Sequence, residues 1–171
     1  VADVFTQEVL DRLVGEAAIG HTRYSTTGGN VASAAHPFLI HGRFGQVALC
    51  HNGNLTNTDA LRRRLIAAGH TFTSPSDSEV ILALINRAEA DTLEEAVVLA
   101  LTQVEGAFSL LILSGRHLTA ARDPRGFRPL AIGRIGCDAR IARQHPIRTA
   151  AVLVAVVKQA ADDRELVGLL G

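Results

Sequence analysis

The succession of apolar segments along the chain leaves few folds open to it. Segments of strand length come first, segments with the apolar spacing of helices follow, and strand-like segments return afterwards. The predicted strands are Ala17–Arg23, Phe38–His41, Gln46–His51, Ala107–Leu113, His117–Arg122 and Pro129–Ile135. Strands grouped on both sides of a helical stretch predict a mixed, mostly antiparallel α+β layout.

Turn and cap residues mark where these elements begin and end. Gly42 and Gly45 predict the turn of a hairpin. Two pairs have the spacing of a capping box and predict helix starts, namely Ser76 with Glu79 and Thr92 with Glu95. Further helices are predicted over 3–14, 57–68 and 96–104, and residues 149–161 fit either a helix or a very apolar strand.

Composition excludes several classes of function. The 171 residues suit one domain, and seventeen basic residues balance seventeen acidic ones, so neither nucleic acid nor a membrane surface is expected as a partner. The longest apolar run, Ala150–Val157, is too short to span a bilayer. Two cysteines without a CxxC spacing argue against disulfides and a zinc site and fit the cytoplasm.

Four short polar segments stand out as candidates for chemistry: 20–26 (GHTRYST), 51–57 (HNGNLTN), 76–79 (SDSE) and 122–130 (RDPRGFRPL). Arg23 follows an apolar strand, where an arginine either forms a surface ion pair or holds a carboxylate with its fixed fork of donors. Asn52-Gly53 is a common turn dipeptide, but an amide side chain and a glycine N–H also suit an oxyanion hole.

The other two segments have equally plain alternatives. Asp77 lies at a predicted helix start, where it could cap the helix or pair with a substrate ammonium group. Residues 122–124 would ordinarily be a strand end that turns at Pro124. His36, His41 and His51 lack metal-ligand spacing, and neither a metal nor a cofactor is expected.

Taken together and in this order, the four segments resemble the glutaminase domain of the amidophosphoribosyltransferase family, a class II glutamine amidotransferase. The resemblance covers about Leu13 to Gly133. Related amidotransferases that make glucosamine-6-phosphate share the GHTR and HNG elements but usually carry Trp at the position of Tyr24 and lack the 122–130 segment. Their glutaminase domain is kept as an alternative.

The resemblance implies a fold and a set of roles. The fold is the four-layer αββα sandwich of N-terminal nucleophile hydrolases. Arg23 would hold the α-carboxylate of glutamine, with Thr26 beside that pocket, and Asp77 would receive the α-ammonium group. Asn52 and Gly53 would form the oxyanion hole. The implied partners are glutamine and the phosphoribosyltransferase domain of a complete, homo-oligomeric enzyme, which makes phosphoribosylamine for purine synthesis.

The family's nucleophile is an N-terminal cysteine, and the sequence offers no clear match for it. Val1 cannot act in this way, Cys50 lies in a predicted strand as a core thiol, and Cys137 lies beyond the resemblance. We therefore expect residues 1–136 to be a partial glutaminase domain without its first strands, and residues 137–171 to be a tail outside the family pattern. The chain alone is expected to be inactive, and a glutamine-binding remnant or an incomplete chain with an open sheet edge are the alternatives.

Overall fold

The computed structural model describes residues 6–12, 17–22, 35–115, 117–135, 139–143, 152–158 and 167–169. The helices among these residues are α1 (Gln7–Asp11), α2 (Thr58–Ala67), α3 (Asp77–Arg87) and α4 (Leu93–Leu101). The strands are β1 (Ala17–Thr22), β2 (Phe38–Gly42), β3 (Gly45–Leu55), β4 (Gly106–Ser114), β5 (His117–Arg122), β6 (Ala131–Ile135), β7 (Ala139–Arg143), β8 (Val152–Lys158) and β9 (Val167–Leu169).

The strands form two sheets. One has the order β2-β3-β4-β5-β9, in which the first four strands are antiparallel to their neighbours and β9 runs parallel to β5. The other has the order β1-β8-β7-β6 and is antiparallel throughout. The predicted antiparallel preference is therefore confirmed for the described strands.

Two apolar clusters show how the layers are stacked. The larger cluster lies between the five-stranded sheet and the helices, and its fully buried members include Leu49, Leu110, Ile112, Ile81, Leu82 and Val97. The smaller cluster consists of Cys50, Leu111, Leu118 and Ala120, and Ile19 from β1 packs against it. Since β1 belongs to the other sheet, the described elements form three successive layers of helix, sheet and sheet.

Most predicted elements are found with small shifts at their ends. The hairpin of β2 and β3 turns through residues 43–44, between the two predicted glycines. Residues 152–158 form a strand, so the helical option for 149–161 is wrong there, because this segment pairs with both β1 and β7. The helix expected to run to Val104 ends at Leu101.

Both predicted helix starts are confirmed, but neither glutamate binds its N-cap residue, and Glu95 accepts a hydrogen bond from the N–H of Asp91, one position earlier. The Ser76 side chain accepts a hydrogen bond from the N–H of Ser78, and the Thr92 side chain accepts one from the N–H of Glu95. Glu79, however, turns to the preceding loop, where its carboxylate accepts from the N–H and hydroxyl groups of both Thr73 and Ser74 at 2.7–2.9 Å. The glutamate thus stabilises the loop before α3 rather than the first turn of the helix.

A second buried carboxylate organises the loop after β5. Asp123 is 2% exposed and accepts hydrogen bonds from the N–H groups of Phe127 and Arg128 at 3.0 Å and of Phe108 at 3.4 Å. The segment is the turn at Pro124 that its sequence indicates, and Asp123 ties this turn to β4. The loop therefore supports the part of β4 that pairs with β3.

The pairing of β3 with β4 requires a glycine at position 53. A Cβ atom added to Gly53 would lie 2.0 Å from the carbonyl oxygen of Ala107 and 2.8 Å from Cα of Phe108, both in β4. Its φ of +155° is also in the range that side chains rarely adopt. The two strands approach each other at this point more closely than any other residue would allow.

The first prediction concerns acid stability. Burial by itself would raise the pKa of Glu79, but the donors of Thr73 and Ser74 offset this and leave the pKa below the ordinary 4.5. The unfolded chain then takes up protons at a higher pH than the folded chain, so stability from Glu79 is complete above pH 4.5 and is lost as the pH falls through the folded value. Burial and hydrogen bonding have the same net effect on the pKa of Asp123.

We expect Glu79→Gln to lower the free energy of unfolding at pH 7 by about 1–3 kcal/mol, because buried donors lose a charged acceptor. The decline of stability below pH 4.5 should also become shallower. Urea unfolding across pH 3–7 measures both effects, and Glu89→Gln, at an exposed carboxylate, is the matched control. Equal acid sensitivity of the Glu79 variant and the parent chain would contradict the assignment.

The second prediction concerns Gly53. Gly53→Ala should destabilise the chain by about 1–3 kcal/mol more than Gly45→Ala, because the methyl group overlaps the backbone of β4. Gly45→Ala is the control, since Gly45 also has a positive φ of +75° but nothing within 4 Å of the added atom. Its cost should stay near the ~1 kcal/mol of the left-handed conformation alone. Thermal unfolding measures the difference, and equal losses at the two positions would refute the steric argument.

Candidate active site

The predicted oxyanion pair lies within a strand and not in a turn. Asn52 and Gly53 are inside β3, where Asn52 is opposite Ser109 and Gly53 is opposite Phe108. The plain turn interpretation of this dipeptide is therefore wrong, because pairing with β4 extends the chain through it. Asn52 is 6% exposed, so its amide lies in a largely desolvated position.

Alternation along β3 divides its side chains between two faces of the sheet. Leu49 and Leu55 belong to the cluster beneath the helices, and Cys50 belongs to the cluster between the sheets. By the same period of two, His51 faces the helices, whereas Asn52 faces the other sheet. The side chains of His51 and Asn52, which are adjacent in one short motif, thus project from opposite faces of the sheet.

The side chain of Asp77 reaches β3 from the first turn of α3. Its Oδ2 accepts a hydrogen bond from the N–H of Leu55 at 3.2 Å, and its Oδ1 lies 3.2 Å from Nδ1 of His51. The capping interpretation of Asp77 is wrong, because Ser76 is the N-cap and leaves the aspartate available for these contacts. The side chain keeps 20% exposure, so a solute can still approach it.

Asp77 remains ionised at neutral pH. Burial by itself would raise its pKa, but the hydrogen bond and charge of His51, together with the N–H groups of Leu55 and Ser78, lower the pKa below the ordinary 3.8. The N-terminal end of α3 favours the same negative charge. A carboxylate of this kind can receive a substrate ammonium group.

A buried hydroxyl joins two histidines next to Asp77. Ser78 is fully buried, and its Oγ lies 3.1 Å from Nδ1 of His51 and 2.9 Å from Nε2 of His36. The His36 ring in turn contacts the His21 ring, with 4.5 Å between their centroids. Sequence reasoning missed this group, although His51 directly precedes Asn52 and strand alternation could have directed it toward α3.

A cleft opens where β3 ends and β4 begins, close to the paired residues Gly53 and Phe108. It has a volume of about 610 Å³ and is lined by Asn54, Thr56, Val104, Glu105, Gly106, Ala107, Phe108, Pro124, Arg125 and Phe127. This volume is within the ~300–1,000 Å³ typical of small-molecule sites. The cleft borders the strand that carries Asn52 and Gly53, but neither these two residues nor Asp77 is among its lining residues.

Two of the predicted binding residues, Arg23 and Thr26, lie outside the described residues. The expectation that Arg23, Asn52, Gly53 and Asp77 converge on one glutamine pocket therefore stays a prediction. His21, two positions before Arg23, does lie in β1 and contacts His36, which brings this end of β1 toward Ser78.

Cys50 has the environment of a structural thiol. It is fully buried in β3, and burial raises its pKa to about 12, so almost no reactive thiolate is present at neutral pH. Cys137 lies outside the described residues. Within the described ranges, no group of three potential ligand side chains could hold a metal ion, and no helix is long and apolar enough to cross a bilayer.

Comparison with known proteins places this geometry in a family. Residues 21–142 match the family described as glutamine amidotransferase domain. An amidophosphoribosyltransferase of Methanocaldococcus jannaschii is 49% identical over 136 residues, which cover 78% of this chain and 29% of that protein. One of Lacticaseibacillus casei is 43% identical over 134 residues, which cover 78% of this chain and 69% of that protein.

Solved structures agree with the sequence relatives. A glutamine phosphoribosylpyrophosphate amidotransferase from B. subtilis, solved with ADP and GMP, has a TM-score of 0.62 and 32% identity, covering 77% of this chain and 26% of its own. The solved structure of an allosteric regulatory enzyme of purine biosynthesis has a TM-score of 0.65 and 35% identity, covering 78% of this chain and 26% of its own. These likenesses confirm the expected α+β class and the N-terminal nucleophile hydrolase fold.

The present chain spans less than a third of the length of the Methanocaldococcus relative and of both solved structures. The matched region nevertheless contains three of the four motif segments whole and all of the first except Gly20, and it covers most of this chain. The chain belongs to the amidophosphoribosyltransferase family and contains a glutamine amidotransferase domain of that family.

Proposed function

We propose that this domain binds glutamine and stabilises the transition state of its hydrolysis, so that ammonia is supplied for phosphoribosylamine formation in purine biosynthesis. The observation that carries the proposal is the contact between two motif segments. Asp77 of the 76–79 segment accepts the N–H of Leu55, 22 positions earlier in the 51–57 segment, and meets His51 of the same segment. The Asp77 carboxylate is thereby held against β3, the strand that carries the buried amide of Asn52 and that ends at the cleft.

Each residue has a role that follows from its donors and acceptors. Asp77 receives the α-ammonium group of glutamine, and Arg23 holds the α-carboxylate with Thr26 beside it. The amide of Asn52 and the N–H of Gly53 stabilise the negative oxygen that develops when the substrate amide is attacked. Pairing of both α-substituents distinguishes glutamine from simple amides, because each charge gains charge-assisted hydrogen bonds.

We assign no nucleophile to residues 1–171. Cys50 is unsuited, because its thiol is fully buried and its pKa is raised to about 12. The complete enzyme is proposed to supply an N-terminal cysteine and a phosphoribosyltransferase domain, to form a homo-oligomer and to act in the cytoplasm, with neither nucleic acid nor a membrane as partner. Of the predicted tail 137–171, residues 137–142 fall inside the family match, and residues 143–171 are proposed to depart from the family pattern in sequence.

The competing function is glutamine binding without cleavage. The inert environment of Cys50 favours it for a polypeptide that consists of these 171 residues only. A glutaminase domain of the glucosamine-6-phosphate synthase kind fits less well, because segment 122–130 forms the Asp123-centred loop and the reported relatives carry the amidophosphoribosyltransferase name.

The third prediction separates binding from turnover. A polypeptide of residues 1–171 should bind glutamine in calorimetry, and Asp77→Asn should weaken binding about 10–150-fold, the equivalent of one charge-assisted hydrogen bond. Asp59→Asn, at an exposed position on α2, is the control. The same polypeptide should release no ammonia above background, because positioning groups alone typically leave only about 10³–10⁴ over water. Ammonia release that Cys50→Ser abolishes would contradict this.

The fourth prediction assigns steps to residues in a chain that carries the cysteine. When an N-terminal segment of a relative, beginning with Cys, is joined ahead of this domain, glutaminase activity should appear. Arg23→Ala and Asp77→Ala should mainly raise KM, because they remove partners of the ground-state charges. Asn52→Ala should lower kcat by about 10²–10³, because its donor matters most when the oxyanion forms.

Steady-state ammonia release as a function of glutamine concentration measures these constants. Arg63→Ala, at an exposed position on α2, controls for loss of positive charge and should change neither constant. A chain in which Asn52→Ala left kcat intact while Arg23→Ala abolished it would refute the assigned roles.

A further inference from the structure

We propose that His51 is a positioning residue, which fixes the Asp77 carboxylate beside Gly53 and so sets the distance between the ammonium and oxyanion subsites. This inference rests on the proposed function and deepens it. His51 is neither a nucleophile nor a general base in this account, because it is 4% exposed and its Nδ1 is taken up by Asp77 and Ser78.

The first step is the contact with the carboxylate. His51 is 4% exposed, and its Nδ1 lies 3.2 Å from Oδ1 of Asp77 and 3.1 Å from Oγ of Ser78. An ionised carboxylate can only accept, so the contact is attractive when Nδ1 carries the proton, and we assign the proton to Nδ1 on that ground. The N–H of Leu55 holds the other oxygen of Asp77, so both carboxylate oxygens are bound by β3.

The second step is the contact with the glycine. A Cβ atom on Gly53 would lie 2.8 Å from Nε2 of His51, so the imidazole occupies the space directly against this residue. Within the described part of the chain, Nε2 is buried without a hydrogen-bond partner. The ring therefore contacts Asp77 through one nitrogen and packs against Gly53 with the other.

These two contacts make one rigid ring a spacer between the groups proposed to bind opposite ends of glutamine. A histidine that merely filled the core would affect stability alone. A spacer affects glutamine affinity, and it does so only while Asp77 can form its ion pair with the substrate. The two roles differ in a measurable coupling between positions 51 and 77.

The test uses substitutions that keep one nitrogen position at a time. In His51→Asn the amide nitrogen occupies the place of Nδ1, and in His51→Gln it occupies the place of Nε2. We expect His51→Gln and His51→Leu to lose about tenfold in glutamine affinity, the effect of one charge-assisted hydrogen bond, and His51→Asn to lose less than either, because it alone keeps a donor to Asp77. His41→Asn, at an exposed position on β2, is the control.

Two further measurements isolate the path through Asp77. In an Asp77→Asn background, His51→Gln should cause no additional loss of affinity. In the protein without ligand, carbon-detected NMR should show that the pKa of Asp77 rises when His51 becomes Gln, because the donor that lowers it is removed.

Each outcome decides the inference. Equal affinity of the Asn and Gln variants, or additive losses in the double variant, would overturn it and leave the proposed function intact. If the parent chain binds no glutamine, the proposed function and this inference fall together. Should His51→Leu fail to fold, the Asn and Gln pair still decides, since both are polar, uncharged and nearly isosteric with the parts of the ring they replace.

Discussion

The pairing of β3 with β4 is the interaction on which the rest of the structure depends. It joins nine residue pairs from Val47–Ser114 to Leu55–Gly106. Side chains on one face of this strand pair pack against the helices, and side chains on the other face pack against the second sheet. The same pairing sets the positions of Asn52 and Gly53, and the N–H of Leu55 at its end holds Asp77. Core packing and site geometry therefore rest on one set of backbone hydrogen bonds.

Carboxylates that satisfy backbone N–H groups hold the loops around this pair. Glu79 binds the loop before α3, and Asp123 binds the loop after β5 and also the N–H of Phe108. Asp77 does the same for the end of β3 while keeping part of its surface accessible. A buried carboxylate with several donors is stable because the hydrogen bonds compensate for lost hydration. The three carboxylates differ mainly in how much of their surface a solute can reach.

Local sequence signals were sufficient for much of the fold. The glycines of the β2–β3 turn and the caps at Ser76 and Thr92 were read correctly, because their geometry is decided within a few residues. The Asn52-Gly53 strand was not separable from a turn, because the partner that extends it lies in β4, more than fifty positions later. The role of Glu79 was wrong for a similar reason. Local spacing cannot show whether its carboxylate binds the N–H of the N-cap residue Ser76 or the N–H groups of the preceding loop. The family motifs pointed to Asp77 and Asn52, and strand geometry was needed to find His51 and Ser78.

Alternation along β3 has a consequence for how this domain can vary between organisms. His51 serves the helical side of the sheet and Asn52 the opposite side, so inserting or deleting one residue between the turn at Gly45 and position 51 would exchange their directions. Strand β3 can therefore accept substitutions at its exposed positions, but a change in its length would misplace the site residues. Gains and losses of residues in relatives should fall in the connecting loops and spare the interval from the hairpin turn to Leu55.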